Sequence, residues 1–234
     1  MKKITILLAA VAVTATVSAQ DITFGPTLGL NVSIVTSSVD PEPEGYEAPD
    51  NATGIGFFIG GFANIGISEK FAIRPELHFS SRGTKSESTS EFDLLGTTIK
   101  SESTNKNSDS FIEIPILANI MLSEAFNIHV GPSIGFLAGS KASGDTKTTT
   151  TVGGTSTTIE DSYEVTGSDA TAGRNGMELG LAIGAQFETE GGLGFGVRYT
   201  RALTSTNEET EIGDTKFMSN YNVVQVVLAY TLGK

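Results

Sequence analysis

Seven charged or titratable side chains alternate with apolar residues along this chain. They are Arg74, Glu76, His78, Glu113, His129, Glu178 and Arg198. Carboxylates and guanidinium groups that share a face of neighbouring strands can form ion pairs, and histidine can carry protons or bind metal. Because an unpaired charge away from water is costly, we predict a structural network of ion pairs and hydrogen bonds rather than a proton or ion path.

Three other patterns suggest chemistry but lack the geometry for it. The two histidines could bind a metal together with Glu76, but no close ligand spacing supports this. The acids of residues 39–51 lack the ordered spacing of a calcium loop, and the glycine run 191–198 lacks the following helix of a phosphate site. We therefore predict no metal, no cofactor and no catalytic site.

The first residues have the organisation of a secretory signal peptide. Lys2 and Lys3 precede the apolar stretch 4–17, and Val17 and Ala19 are small residues at the positions that precede a cleavage site. We predict a signal peptide over residues 1–19 and a single domain over residues 20–234, which has the size of one all-β barrel.

Composition excludes several classes of protein. The chain has no cysteine, so it has neither a disulfide framework nor a thiolate metal site. Its formal net charge of −12 argues against a nucleic-acid partner, because phosphate binding requires clustered Lys and Arg.

Apolar and polar residues alternate with a period of two, which predicts β-strands rather than helices. The eight predicted strands are 22–35, 54–67, 70–82, 109–122, 125–139, 174–188, 192–204 and 217–232. One face of each strand collects large apolar residues, as Ile73, Leu77 and Phe79 do in the third strand. The other face holds Gly, Ala, Ser and Thr together with the charged residues named above.

The connections between these strands are of two kinds. Three are short (67–70, 122–125 and 188–192), and four are long and hydrophilic (36–53, 83–108, 140–173 and 205–216). Short and long connections alternate, so each kind lies at one end of the barrel. This asymmetry is typical of an outer-membrane barrel with short periplasmic turns and long extracellular loops.

A membrane barrel and a soluble barrel differ in which face points outward. Aromatic residues near both ends of the apolar face favour the membrane, where they would form two interfacial belts. The predicted belts are Phe24, Phe71, Phe126, Phe187 and Tyr230 near the short turns, and Phe57, Phe79, Phe136, Tyr199 and Tyr221 near the long loops. A soluble calycin-like barrel around an apolar ligand remains the alternative.

Several strand segments carry a recognisable pattern. They are GPTLGLNVSIV, FAIRPELHFSSRG, FIEIPILANIML, FNIHVGPSIGFLAG, GMELGLAIGAQFE, GLGFGVRYTRALT and NVVQVVLAYTL. These segments resemble the PorT family, or porin-family small outer-membrane β-barrel proteins, of Gram-negative bacteria. The resemblance implies a transmembrane barrel. It also implies a possible link to protein secretion, since a few relatives are connected with it while most have no assigned activity.

We therefore predict an all-β, eight-stranded antiparallel up-and-down transmembrane β-barrel, located in the outer membrane and filled by side chains. Its expected role is structural or interactive, through long extracellular loops. The expected partners are outer-membrane lipid and other envelope or secreted proteins, with no nucleic acid, and the barrel is expected to be a monomer. An accessory role in outer-membrane transport or secretion stays open. A lipid hydrolase built on Ser133 and His129 is not expected, because the register points the serine into the barrel.

Overall fold

The computed structural model describes residues 22–41, 51–207, 210–212 and 215–233. This part of the chain forms ten strands and one short helix. They are β1 (Ile22–Asp40), β2 (Ala52–Ser68), β3 (Phe71–Leu94), β4 (Thr97–Met121), β5 (Phe126–Val152), β6 (Thr155–Thr166), α1 (Ser168–Thr171), β7 (Met177–Glu188), β8 (Leu193–Ala202), β9 (Thr210–Ile212) and β10 (Thr215–Tyr230). The predicted signal peptide and most of the acidic stretch 39–51 lie outside the described residues.

Eight of these strands close into a ring in which every neighbour is antiparallel. The order is β1-β2-β3-β4-β5-β7-β8-β10, and β10 pairs back with β1 from Thr27–Ala229 to Asp40–Lys216. β6 pairs with β5, and β9 pairs with β10, outside the ring. The predicted eight-stranded up-and-down barrel is therefore confirmed.

The outer surface of the ring is apolar. Its exposed side chains include Phe24, Leu28, Leu30, Ile55, Phe57, Ile59, Leu77, Phe79, Ile112, Ile116, Val130, Leu179, Leu181, Ile183, Phe195, Val197, Val226 and Leu228. A continuous apolar surface of this extent marks a membrane-facing surface rather than a water-facing one. This orientation does not favour the soluble calycin-like alternative, in which the same residues would point inward.

No helix among the described residues is long and apolar enough to cross a membrane. The single helix found there, α1, has four residues.

Two of the predicted long loops are strands instead. The segment 83–108 extends β3 and β4 in unbroken register to the pair Leu94–Thr97, and much of 140–173 extends β5 to Val152 and forms β6. We call residues 85–94, 97–107 and 141–152 together with β6 the projecting sheet. At the usual rise per residue, ten residues carry it roughly 30 Å beyond the barrel wall.

The prediction of loops in these two segments failed for a physical reason. In KSESTSEF, charged residues alternate with Ser and Thr, so neither face is apolar and the hydrophobic periodicity gives no signal. Threonine nevertheless favours extended backbone because it is branched at Cβ. Two tight turns complete the hairpins: Leu95–Gly96 and Gly153–Gly154 all have positive φ, which is the geometry of a two-residue turn between twisted strands.

Candidate functional site in the barrel interior

The interior is built by the alternation of β3. Every second residue of its barrel segment points inward, and Arg74, Glu76, His78 and Arg82 are all at most 2% exposed. The intervening residues face outward, so the strand keeps its charges and its large apolar residues on opposite faces. The strands β4, β5, β7 and β8 bring Glu113, His129, Glu178 and Arg198 to the same interior, where each is buried.

Glu76 is the centre of the first cluster, in the half of the barrel nearer the short turns. Its Oε1 accepts hydrogen bonds from Arg74 Nε at 2.6 Å and from Arg198 Nη2 at 2.8 Å. Its Oε2 accepts one from Arg198 Nη1 at 2.7 Å, and His78 Nε2 lies 3.0 Å from the same oxygen. Arg198 thus binds both carboxylate oxygens, which is the strongest arrangement of such a pair.

Aromatic rings complete this cluster. The Arg74 guanidinium lies 3.7 Å from the centre of the Phe62 ring, and the His78 ring packs against Phe58 with 5.0 Å between ring centres. A cation over an aromatic face gains attraction when water is excluded. The rings therefore fill space and help to hold the charged groups in place.

Arg82 is the centre of a second cluster, nearer the projecting sheet. Its Nη1 donates to both oxygens of Glu178, at 2.8 and 2.9 Å, and its Nη2 donates to Glu113. The same guanidinium lies 4.6 Å from the centre of the Phe111 ring and 5.1 Å from that of Tyr221. One arginine therefore connects β3 to β4 and, across the barrel, to β7.

Asp109 is the centre of a third cluster at the base of the projecting sheet. Its Oδ1 accepts a hydrogen bond from Ser140 Oγ at 2.6 Å, and its Oδ2 accepts from Tyr221 Oη at 2.8 Å and from Arg174. The carboxylate is fully buried, so these donors replace the water it would otherwise bind.

A neutral contact joins the strands at the closing point of the ring. The Asn31 amide nitrogen donates to Ser80 Oγ at 3.0 Å and to the Ser81 carbonyl at 2.8 Å. Its oxygen accepts from Gln225 Nε2 at 3.0 Å. This one side chain therefore links β10, β1 and β3 across the barrel interior.

The charges of the three clusters balance. Four arginines (Arg74, Arg82, Arg174 and Arg198) face four carboxylates (Glu76, Asp109, Glu113 and Glu178) in the contacts described above. Each carboxylate contacts at least one guanidinium, and the excess positive charge of the Glu76 cluster is offset by the excess negative charge of the Arg82 cluster. Such an arrangement suits the filling of an interior better than selection of ions.

Comparison with known families identifies the chain. The sequence model of the family described as "Outer membrane protein beta-barrel domain" matches residues 18–208, which is well over half of the protein. The chain belongs to this outer-membrane barrel family. Its location is therefore the outer membrane, and lipid surrounds the apolar outer surface.

Solved structures similar to this outer-membrane barrel share little sequence with it. Ail, the attachment invasion locus protein of Yersinia pestis, is 11% identical, with 88% of this chain and 97% of Ail covered and a TM-score of 0.28. Neisserial surface protein A is 10% identical over 88% and 97%, with a TM-score of 0.31. CarO of Acinetobacter baumannii is 9% identical over 87% and 97%, with a TM-score of 0.37. The search of curated proteins found no match.

Six of the seven residues selected from the sequence of this outer-membrane barrel meet in the first two clusters. The seventh, His129, is buried, but its Nδ1 has no hydrogen-bond partner among the described residues. Ser133 is also buried in the interior. Within the described residues, no group of three or more His, Cys, Asp or Glu could hold a metal ion.

The sequence prediction omitted three charged residues of these clusters, Arg82, Asp109 and Arg174, and the tyrosine Tyr221. A parity signal existed for three of these four. Arg82 shares the parity of Arg74 in β3, Asp109 that of Glu113 in β4, and Tyr221 that of Val223 in β10. Tyr221 was placed wrongly, in the outer aromatic belt near the long loops. It is 1% exposed and faces inward, where its hydroxyl donates a hydrogen bond to Asp109. Arg174 lies between α1 and β7, where no strand pattern orients its side chain.

Proposed function

We propose that this outer-membrane barrel is a sealed, non-catalytic anchor that holds the projecting sheet outside the cell, where the sheet contacts other proteins. The observation that carries this proposal is the pairing of a filled interior with a sheet that extends far beyond the apolar outer surface. The seven sequence-selected residues have a structural role in it, since all are buried and six of them contact other side chains of the interior.

An eight-stranded ring has an interior just wide enough for side chains to fill it. Here large buried groups meet inside it: Arg74, Arg82 and Arg198, together with Phe58, Phe62, Phe111 and Tyr221. These groups support a barrel that works as a monomeric anchor in lipid rather than as a conduit.

The finer resemblance to the PorT family supports a second candidate, an accessory role in outer-membrane transport or protein secretion. The projecting sheet favours it to the extent that an accessory protein needs a surface for its partners. Both candidates require that sheet to be accessible, so its position relative to the membrane is the first thing to test.

Orientation can be tested with single cysteines, since the natural chain has none. Leu95, at the tip of the β3–β4 hairpin, is 99% exposed, and Glu124 is exposed in the short turn at the opposite end. We expect a membrane-impermeant maleimide to label Leu95→Cys on intact cells and Glu124→Cys only after permeabilisation. The reverse pattern would overturn the proposed function.

A further inference from the structure

β6 is an edge strand of the projecting sheet. All of its residues, Thr155–Thr166, pair with β5, and no other described strand pairs with it. In an antiparallel pair, every second residue of an edge strand directs its backbone N–H and C=O away from its neighbour. β6 therefore offers a row of backbone donors and acceptors that another extended chain can join.

The two faces of β6 differ in chemistry. Residues opposite each other across a pair share a face, so the register assigns every side chain of the sheet. Ile159, Tyr163 and Val165 lie with Asp161 on the face that continues the barrel interior, whereas Glu160 and Glu164 lie on the face that continues the lipid-facing surface. An added strand would meet three apolar side chains and one carboxylate on the first face, and two carboxylates on the second.

The charge at this edge is acidic. Glu160 and Glu164 keep 73% and 59% of their side chains exposed while contacting Lys147 and Lys141 of β5 at 3.8 and 2.8 Å. Asp161 adds a third carboxylate, and β6 carries no Lys or Arg. The lysines of the inner strand thus lie behind the acids, and the outer sides of the acids remain open.

This charge distribution selects the kind of partner. A second copy paired through its own β6 would bring three acids of one strand against three of the other, and like charges across strands are destabilising. A strand that carries Lys or Arg at every second position would instead place cations beside Glu160 and Glu164. Its alternate side chains, if β-branched or aromatic, would lie beside Ile159 and Tyr163.

β6 is held in position before any partner arrives. The Tyr163 hydroxyl donates a hydrogen bond to Asn105 Oδ1 at 3.0 Å, across β5. Its ring crosses Gly144, where an added Cβ would lie 2.4 Å from a ring carbon. A strand fixed in its binding conformation loses less entropy on association.

We propose that the outer edge of β6 binds an extended segment of another protein as an additional β-strand, and that this segment alternates basic residues with β-branched or aromatic ones. This inference rests on the proposed function, because it assigns a partner class to the projecting sheet.

The test uses the full chain in lipid nanodiscs and a fluorescent twelve-residue peptide that alternates lysine and valine, at about 150 mM salt to screen remote charges. We expect saturable binding, together with slower amide exchange in residues 155–166. The variant E160Q/D161N/E164Q should weaken binding roughly tenfold or more. The matched control E87Q/E91Q/D93N removes three acids from β3 at the opposite edge of the sheet and should bind as the natural chain does.

Four results would overturn the inference. They are absence of binding, equal weakening in both triple variants, equal binding of a lysine–valine peptide interrupted by prolines, and a dimer whose formation protects β6 from exchange. The first would show that β6 does not bind such a segment, the second would leave only non-specific charge, the third would exclude strand addition, and the fourth would make a second copy the occupant. None of these results changes the cysteine labelling, so failure here is distinguishable from failure of the proposed function.

Discussion

At the scale of single residues, Glu76 is the carboxylate with the most charged or titratable partners among the described residues of the interior. It is the shared acceptor for Arg74 and Arg198, and its carboxylate is also the neighbour of His78. The two arginines are completely or almost completely buried, so neither can exchange this carboxylate for water. Loss of one negative charge therefore leaves two positive charges close together in a region of low dielectric constant.

We expect Glu76→Gln to lower the free energy of unfolding by about 3–5 kcal/mol, the usual effect of removing one partner from a buried ion pair. The measurement is denaturant unfolding in detergent micelles, followed by heat-modifiable migration on gels. Glu91→Gln, on the exposed projecting sheet, serves as the control and should change the free energy by less than about 1 kcal/mol. Equal effects of the two substitutions would contradict the assigned role of Glu76.

At the scale of elements, the projecting sheet and the barrel wall share strands but differ in residue pattern and in the interactions that stabilise them. In the wall, β3 alternates apolar and charged residues between lipid and interior. Beyond Lys85, the same strand consists mainly of Ser, Thr and acidic residues, with Phe92 and Leu94 near its end, and its stability depends on cross-strand contacts. Such contacts are individually weak, so the sheet should respond to substitutions that leave the barrel unaffected.

The contact between Tyr163 and Gly144 allows a direct test of this independence. Gly144→Ala should displace the Tyr163 ring, because the new methyl group would lie 2.4 Å from a ring carbon. We expect faster amide exchange across β6, with the unfolding of the barrel unchanged. Gly139→Ala, also on β5, is the matched control, since nothing lies within 4 Å of its added Cβ. Unchanged exchange in β6 would show that the tyrosine does not hold this edge.

The exposed pair Lys100–Glu102 gives the sheet a weak dependence on pH. Lys100 Nζ lies 2.8 Å from Glu102 Oε1. The hydrogen bond and the charge of that lysine lower the pKa of Glu102 below its ordinary value of 4.5. Because the folded pKa is depressed, the stabilisation is present above the ordinary pKa and is lost as pH falls through the folded value.

Lys100→Gln should raise the pKa of Glu102 toward the ordinary value, as measured by NMR titration of its side-chain carbon. Lys106→Gln lies on the same strand and face and should leave that pKa nearly unchanged. If both substitutions changed the pKa of Glu102 equally, the overall charge of the sheet would be the cause of its lowered pKa, and not the local contact with Lys100.

At the scale of the whole molecule, the protein is a closed barrel filled by side chains, and three of its wall strands continue into the projecting sheet. Three charged clusters occupy successive levels of the interior, from Glu76 through Arg82 to Asp109. Their balanced charges and the aromatic rings among them leave the fold without the open, single-signed lining by which wide barrels conduct ions.

We expect purified protein in planar lipid bilayers to show no stable large conductance. A sixteen-stranded porin, incorporated under the same conditions, provides the positive control, since barrels of that size leave an aqueous channel. Stable, uniform conductance steps from this chain would contradict the sealed interior and would make the transport alternative the better one.

The sequence predicted the wall of the barrel well and the projecting sheet poorly. The wall has two different environments, so alternation of residues such as Ile73 and Arg74 identifies both the strand and its faces. The projecting sheet has water on both sides, and its large apolar residues are too few along each strand to reveal a period of two. Paired turn residues such as Gly153–Gly154 were the clearer signal of a hairpin. Tyr221 was misplaced because it was assigned to an outer belt from its position near a strand end. It shares the parity of the buried Val223 and Val227, so the alternation of β10 points it to the interior, where it contacts Asp109.

The interior clusters also constrain the order in which the barrel can be built. Arg198 and Glu76 are 122 residues apart, Arg82 and Glu178 are 96 apart, and Tyr221 and Asp109 are 112 apart. The buried arginines and acids of β3 and β4 therefore stay without these distant partners until the C-terminal strands arrive. A half-inserted sheet would combine uncompensated charges with unpaired edges in lipid, which makes every partial structure unfavourable. We expect insertion and closure to occur as one slow cooperative event, as the long separation of the contacts requires.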